Sequence, residues 1–150
     1  MSVGSPLDDL HHPLLQGVHR VLSCDGIQQY GQCIVDDESN IQQAILAGCR
    51  VRQVFTYAGH EDRYPQLMNK LKERRIPVFS IRPRTCKKLF AVEKMTRLFA
   101  LVDVPATPDK IDAFAVKGEL IVCDGLMMMG NIGAILRSAV AFGQKHVLFL

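Results

Sequence analysis

A single arginine stands in the long apolar stretch MMMGNIGAILRSAVAFG, which covers residues 127–143. On a helix, Arg137 would share one face with small residues, and the opposite face would be apolar and buried. The apolar face would hold Ile132, Ile135, Leu136, Ala139 and Phe142, and the small-residue face would hold Gly130, Gly133, Ala134, Ser138 and Ala141. Small residues allow a ligand or another backbone to approach closely. Because an isolated buried charge is costly, Arg137 predicts an anionic or carbonyl-rich partner at this face.

The glycines around Asn131 do not fit the common phosphate-binding loops. The stretch GNIGAILRS lacks the lysine of a Walker A loop, and its glycines do not have the GxGxxG spacing of a dinucleotide-binding fingerprint. A GxxG loop between helices would suggest a KH domain, but here a predicted strand precedes the glycines. An interpretation without chemistry stays open, in which Asn131 caps the helix and Arg137 is a surface residue.

A second candidate feature is the basic middle of the chain. Residues 50–97 hold 13 of the 18 Lys and Arg residues and only four acidic residues, although the net charge of the whole chain is +3. The stretch IRPRTCKKLF alone has four positive charges within seven residues and few acids to pair them. Such segregated positive charge is typical of a polyanion-binding protein. Solvated helix faces are the alternative interpretation.

Strand-like and helix-like segments alternate along the chain, which predicts an α/β fold. We expect a small N-terminal α/β domain at 1–104, a linker at 105–118 and the first strand–helix–strand unit of a second domain at 119–150. Ser39 or Asn40 is the expected N-cap of the second helix, and Gly48 its C-terminal end. Strands are predicted at 31–37, 51–57, 76–81, 96–104, 119–126 and 146–150, and helices at 7–22 (alternatively starting at Pro13), 38–48, 64–75, 83–90 and 127–143.

The second predicted domain is incomplete. Its first strand, ELIVCDGL, is a nearly continuous apolar run, typical of a parallel sheet that is covered on both faces. A strand–helix–strand unit of 32 residues cannot bury both faces of its own sheet. We therefore expect either that the native chain continues beyond Leu150 or that this is a truncated form.

Composition narrows the class of protein. The content of 48% hydrophobic and 22% charged residues is typical of a globular protein with a real core. The absence of a long apolar run and of a basic, then apolar, N-terminus predicts no membrane span, no secretory signal and a cytoplasmic location. No zinc-ligand spacing is present, so we expect no metal and reduced thiols at Cys24, Cys33, Cys49, Cys86 and Cys123.

The stretch GNIGAILRSAVAFG resembles the first signature motif of the SpoU (TrmH-like, SPOUT superfamily) RNA 2′-O-ribose methyltransferases, roughly N-x-G-x-x-x-R-[ST]-A-x-A-[FL]-G. ELIVCDGLMMMG is similar to the strand and turn that lead into that motif. AILAGCRVRQVFTY, RRIPVFSI and KKLFAVEK resemble the N-terminal RNA-binding domain of the same family. The resemblance covers about residues 28–150 and is greatest to the thiostrepton- and nosiheptide-resistance 23S rRNA methyltransferases. The motif matches are Asn131, Gly133, Arg137, Ser138, Ala139, Ala141, Phe142 and Gly143.

This resemblance implies a ribosomal-protein-like RNA-binding domain, then an α/β domain with a deep trefoil knot. It also implies S-adenosylmethionine as the methyl donor, a homodimer, and 2′-O-methylation of an adenosine ribose in large-subunit rRNA, giving thiopeptide resistance. Arg137 matches the family's catalytic arginine, and Asn131 matches an asparagine that would orient the ribose or the arginine. The motifs that contact the cofactor would lie beyond Leu150, so we assign no cofactor-binding residue and expect the 150-residue chain alone to be inactive.

With an RNA substrate implied, the basic segment supplies the candidate RNA-binding residues. Phe90 would stack on an unpaired base, although core packing is an equally open role for it. The full set is Arg84, Lys87, Lys88, Phe90, Lys94 and Arg97. An alternative function for the chain is a non-catalytic RNA-binding module, or a fragment that lacks the cofactor site.

Overall fold

The computed structural model describes residues 5–22, 29–91, 97–105 and 117–150. The chain divides into two compact units, Met1–Ala106 and Thr107–Leu150. Lys94, Cys24 and most of the predicted linker at 105–118 lie outside the described residues. The assignment of RNA binding to the first unit and of catalysis to the second stays a prediction.

The first unit is built on a four-stranded sheet with the strand order β1-β4-β2-β3. Strands β2 and β3 are parallel, whereas β4 is antiparallel to both of its neighbours, β1 and β2. The strands are β1 (Gln32–Asp36), β2 (Val51–Tyr57), β3 (Val78–Ile81) and β4 (Leu98–Asp103). The helices are α1 (Pro13–Leu22), α2 (Glu38–Leu46), α3 (Pro65–Glu73) and α4 (Pro83–Phe90), with a 3₁₀ turn at Glu61–Arg63. The register places the C-terminal ends of β2 and β3 beside the N-terminal end of β4, at the same end of the sheet.

Side chains alternate along the strands and separate two apolar cores on opposite faces of this sheet. Val54 and Ala100 lie on the face that packs against α2 and α3. Phe55 and Phe99 lie on the other face, where they pack against α1 and α4. The sheet is therefore covered by two helices on each side, which confirms the predicted α/β class for this unit.

Several helix boundaries follow the sequence signals. Helix α1 begins at Pro13, the alternative start, and Gly48 follows the end of α2 with a φ of 78°. The N-cap of α2 is Asp37, so the prediction of Ser39 or Asn40 is wrong. Asp37 donates its N–H to Leu98 of β4 (3.3 Å), and its carbonyl accepts from Ile41 (3.1 Å), so it ends the β1 pairing and starts the helix at once.

The second unit is the predicted strand–helix–strand motif. It consists of β5 (Ile121–Cys123), α5 (Met129–Ala141) and β6 (Val147–Phe149), with β5 and β6 parallel. Ala139 and Cys123 are buried and Val122 is 52% exposed, which agrees with the expectation that this unit cannot bury both faces of its own sheet. Phe142, the C-cap residue of α5, is 83% exposed, so the prediction that it lies on a buried face is wrong for the described unit.

The residues before α1 contact the rest of the first unit through backbone hydrogen bonds of Leu7 and through the carboxylate of Asp8. Leu7 lies at the outer edge of β3: its N–H donates to the Ser80 carbonyl (2.8 Å) and its carbonyl accepts from Arg82 (3.1 Å). The Asp8 carboxylate accepts from Nε of Arg84 (3.0 Å) and from its Nη2, and from the Thr85 hydroxyl (2.9 Å). The hydrogen bond from Arg84 is the main cause that lowers the pKa of Asp8 from 3.8 to about 2.

Replacing Arg84 with alanine should therefore raise the pKa of Asp8 towards 3.8. Because this pKa is lower in the folded state than in the unfolded state, the Asp8 contact adds a small, solvent-screened stabilisation above roughly pH 4, which is lost as the pH falls to about 2. An NMR titration of the Asp8 carboxyl carbon measures both values. An Asp8 pKa near 3.8 in the unsubstituted protein would contradict the contact.

Candidate functional site

Helix α4 presents a row of cations on its solvent side. Its buried residues, Thr85, Cys86 and Leu89, fix the helix against the sheet. Arg84, Lys87 and Lys88 are exposed, and their spacing of three and four residues places them on one helical face. The structure thus gathers three of the predicted RNA-binding residues on one surface, which we call the α4 cation face; their role in RNA binding stays a prediction.

Phe90 lies at the end of α4 and is only half-buried. Its ring meets Phe99 edge-on, with the ring centroids 5.0 Å apart and an interplanar angle of 80°. This contact makes Phe90 part of the apolar core under α1 and α4. The packing role is therefore observed, while stacking on a base remains a prediction that concerns the exposed part of the ring.

Arg97, the remaining candidate cation among the described residues, lies at a different position. It is exposed directly before β4, where its carbonyl accepts from the N–H of Tyr57 (3.1 Å). The ring of Tyr57 lies 5.7 Å from that of His60, whose Nδ1 atom is buried without a hydrogen-bond partner in the described part of the chain. Burial is the main cause that lowers the pKa of His60, with Arg63 and Arg97 acting in the same direction. Burial and the two arginines therefore disfavour the charged form of His60.

Asp8 is a site residue that the sequence analysis missed. Its carboxylate pairs with Arg84 and also lies 3.4 Å from Nε of Arg82. One carboxylate from outside the stretch thus pairs two of the four cations of IRPRTCKKLF. Asp8 and Arg84 are 76 residues apart in the chain, so no local pattern could indicate the pair. A surface cavity of about 430 Å³ borders the contact and is lined by Asp8, Asp9, Leu10, His11, Arg84, Thr85 and Lys88.

Asn131 lies in the first turn of α5 and does not cap it. Met128 is the N-cap, and its carbonyl accepts from the N–H of Asn131 (2.9 Å), so the capping interpretation of Asn131 is wrong. The side chain of Asn131 is exposed, with its amide nitrogen 3.8 Å from the sulfur of Met128. In the described part of this helix, no hydrogen bond joins Asn131 to Arg137. The structure thus leaves both polar groups of Asn131 accessible to a ligand.

Arg137 folds back over Gly133, one turn earlier on α5. A Cβ atom built on Gly133 would lie 3.1 Å from Nη1 of Arg137, whereas one built on Gly130 meets nothing within 4 Å. Arg137 is exposed, and no ion pair to it exists among the residues that the structure describes. Glycine at position 133 therefore leaves the space in which the guanidinium lies, and the role of Arg137 stays a prediction.

Other kinds of site find less support in the described ranges. No group of three or more His, Cys, Asp or Glu there could hold a metal ion, and no helix there is long and apolar enough to cross a membrane. Burial raises the pKa of the Cys86 thiol to about 11, which makes it a poor nucleophile. The four described cysteines, Cys33, Cys49, Cys86 and Cys123, are free thiols.

Comparison with known proteins identifies relatives along nearly the whole chain. Over 147 residues the chain is 25% identical to the 23S rRNA (adenosine(1067)-2′-O)-methyltransferase of Streptomyces azureus, covering 96% of this chain and 54% of that protein. The enzyme of the same name from Streptomyces laurentii is 26% identical over 120 residues, which are 78% of this chain and 43% of that protein. The chain thus spans about half the length of the curated relatives that it matches.

Solved structures share the fold. A crystal structure of an RNA 2′-O ribose methyltransferase superposes with a TM-score of 0.72 at 23% identity, over 97% of this chain and 55% of that one. The SpoU methyltransferase AviRb from Streptomyces viridochromogenes, bound to AdoMet, gives a TM-score of 0.71 at 23% identity, over 92% of this chain and 52% of that one. These similarities confirm the fold class. Residues 4–115 match the family described as thiostrepton-resistance methylase, N terminus, and the chain therefore belongs to the thiostrepton-resistance methylase family.

Proposed function

We propose that this chain forms the RNA-binding and motif-bearing part of an S-adenosylmethionine-dependent methyltransferase acting on a ribose 2′-hydroxyl of large-subunit rRNA. The observation that carries the proposal is the similarity to the Streptomyces azureus enzyme along 96% of the chain, which reaches from the first unit through α5. Because the chain spans 54% of that enzyme, the activity is proposed for a whole protein that also has a counterpart of the other half. An adenosine as target, thiopeptide resistance, a homodimer and a cytoplasmic location belong to the same proposal.

The two units would divide the work between them. The first unit would hold the RNA backbone through the α4 cation face and Arg97, since clustered exposed cations bind phosphates and release counterions. The second unit would act at the target nucleotide through Asn131 and Arg137. The exposed apolar side chains of this unit support its burial against a partner or the rest of the domain; the most exposed are Met127, Met128, Val140, Phe142 and Leu150.

Arg137 would stabilise charge at the reacting ribose. A guanidinium stays protonated, so it is a poor general base, but its planar fork binds a phosphate with two parallel hydrogen bonds. From that position it would stabilise the negative charge that develops on the 2′-oxygen as its proton leaves. Asn131, whose amide can both donate and accept, would orient the ribose hydroxyl. The guanidinium lying over Gly133 and the exposed amide of Asn131 support these roles.

The methyl group would come from S-adenosylmethionine. The described part of the motif does not by itself fit this group, because residues 126–143 contain no acid and, apart from Arg137, no base that could bind its charged or polar parts. We therefore assign cofactor binding to the half of the protein that this chain lacks relative to its relatives. The chain's own residues would bind and orient the acceptor ribose.

A non-catalytic RNA-binding module is the second candidate function. The concentration of 13 Lys and Arg residues at positions 50–97 favours it, because these cations lie outside the motif helix. RNA binding by the first unit requires neither Asn131 nor Arg137. This function and the catalytic one predict the same RNA affinity but differ in turnover.

In the full-length protein, Arg137→Ala should remove methyl transfer by several orders of magnitude and leave most RNA affinity intact. Arg137→Lys should also fail, because a point charge cannot reproduce the two-pronged contact to phosphate. Transfer of labelled methyl groups from S-adenosylmethionine to 23S rRNA, followed by nucleoside analysis, measures both variants. Methylation on a base, or only on transfer RNA, would overturn the proposed substrate; no turnover in the wild-type protein would favour the binding module.

Gly133→Ala should displace the Arg137 guanidinium by a few tenths of an ångström and reduce methyl transfer about tenfold or more. The fold should not suffer, because alanine is favoured over glycine in a helix by about 1 kcal/mol. Gly130→Ala, with open space around its added methyl group, is the matched control and should keep far more activity. Equal activity of the two variants would show that the contact with Gly133 has no role.

Neutralising the α4 cation face with Gln at Arg84, Lys87 and Lys88 should weaken RNA binding at least about tenfold at low salt. It should also flatten the plot of log K against log salt by up to about two units, since fewer phosphates are neutralised. A matched control removes three cations on or directly after α3, at the opposite face of the sheet, by Gln at Lys70, Lys72 and Arg75. Fluorescence anisotropy with a 23S rRNA fragment measures both affinities and both salt slopes. A larger loss of affinity in the control variant would indicate that RNA binds at α3 and not at the α4 cation face.

A further inference from the structure

The contacts of Asp8 have the form of a phosphate-binding site. Arg84 holds its carboxylate through both Nε (3.0 Å) and Nη2, which is the two-pronged arrangement that guanidinium groups use for carboxylate and phosphate alike. Nε of Arg82 lies 3.4 Å from Oδ2, and the Thr85 hydroxyl donates to Oδ1 (2.9 Å). Two arginines and a hydroxyl therefore converge on one anion, and we call these three residues the anion cradle.

The anion cradle is a built site and not a chance meeting of surface side chains. Thr85 is only 2% exposed, so its hydroxyl is fixed beneath the carboxylate by the packing of α4. The side chains of Arg82 and Arg84 are 53% and 69% exposed, so each keeps a side that is open to solvent. Next to the 430 Å³ cavity that borders Asp8, a second cavity of about 370 Å³ is lined by Pro6, Ala58, Arg82, Pro83 and Arg84. Arg84 thus lines both cavities, which leave room for an anion larger than a single carboxylate.

Asp8 can leave the anion cradle without unfolding the unit. Its side chain is 33% exposed, and ion pairs this accessible to water contribute little to stability. The backbone next to it is held separately by the two hydrogen bonds of Leu7 to Ser80 and Arg82. A rotation of the Asp8 side chain alone would therefore free both guanidinium groups. The Thr85 hydroxyl, which also lies 3.3 Å from the Asp8 carbonyl oxygen, would then donate either to that carbonyl or to an incoming anion.

We propose that Asp8 occupies the place of an RNA phosphate, and that a backbone phosphate of the bound RNA displaces it from Arg82, Arg84 and Thr85. This inference rests on the proposed function and adds three residues to the RNA surface, Asp8, Arg82 and Thr85. The internal carboxylate keeps the donors aligned in the free protein. It also weakens the binding of any polyanion that lacks a phosphate in position to displace it, which favours the correctly shaped RNA.

The alternative is that Asp8 is a permanent positioning residue for Arg84. The two readings predict opposite effects of Asp8→Asn on RNA binding. If Asp8 competes with phosphate, removing its charge should tighten binding of a 23S rRNA fragment about three- to tenfold at low salt, with a steeper salt dependence. If Asp8 only positions Arg84, the same variant should weaken binding.

Asp9→Asn is the matched control, because it removes the same charge from the next residue, whose carboxylate accepts from the N–H of His11 (2.9 Å) and lies outside the anion cradle. It should change affinity less than about twofold, the effect of net charge alone. In an Arg84→Ala background, Asp8→Asn should have a smaller further effect, since Arg82 is then the one arginine of the anion cradle that the carboxylate still blocks. Asp8→Asn that weakens binding, or that equals Asp9→Asn, overturns the proposal.

A direct measurement needs no substitution in the cradle. In the unsubstituted chain, the NMR signal of the Arg84 Nε–H should shift when RNA is added, while that of Arg52, which is paired with Asp103, should not. An Arg84 signal unmoved at saturating RNA would overturn the displacement even if the proposed function holds. Failure of the unsubstituted protein to bind 23S rRNA at all would overturn both the proposed function and this inference.

Discussion

The stacked rings of Phe55 and Phe99 are the contact on which the candidate RNA surface depends. They are partners in the register of β2 and β4, with centroids 4.9 Å apart and planes within 15° of parallel. Phe79 packs on one ring and Phe90 on the other, at 5.8 Å and 5.0 Å between centroids. This cluster forms the floor on which Cys86 and Leu89 of α4 are buried. Since those two residues set the rotation of α4, the aromatic cluster also determines which way Arg84, Lys87 and Lys88 point.

Charge and burial on α4 are therefore parts of the same arrangement. The helix has no acid in its first turn and two lysines in its last, where they interact favourably with the negative end of the helix dipole. The absence of acids leaves the positive field of the first turn to be balanced from elsewhere, and Asp8 provides that balance. Because Asp8 belongs to a distant segment, its side chain can move away from Arg84 while the backbone of α4 stays unchanged.

Local patterns were sufficient for most of the fold. The bounds of β2 and α4 match the predicted 51–57 and 83–90, because alternating apolar residues, Pro83 and the three- and four-residue spacing are all local signals. The errors at Asp37 and Asn131 also concern local structure: each helix begins two or three residues before the predicted N-cap, at a residue whose side chain makes no capping hydrogen bond. The partner of Arg84 could not be predicted, since it depends on the path of a segment 76 residues away.

The motif helix shows the same limit in a different form. Spacing alone grouped Gly133 with Arg137 on a small-residue face, but it did not indicate that the arginine lies back along its own helix over the glycine. A methyl group added at position 133 would lie 3.1 Å from Nη1 of Arg137, so the arginine would have to shift by a few tenths of an ångström. Glycine at this position therefore leaves room first for the arginine of its own helix, which spacing that groups small residues on one face cannot distinguish from room for a ligand.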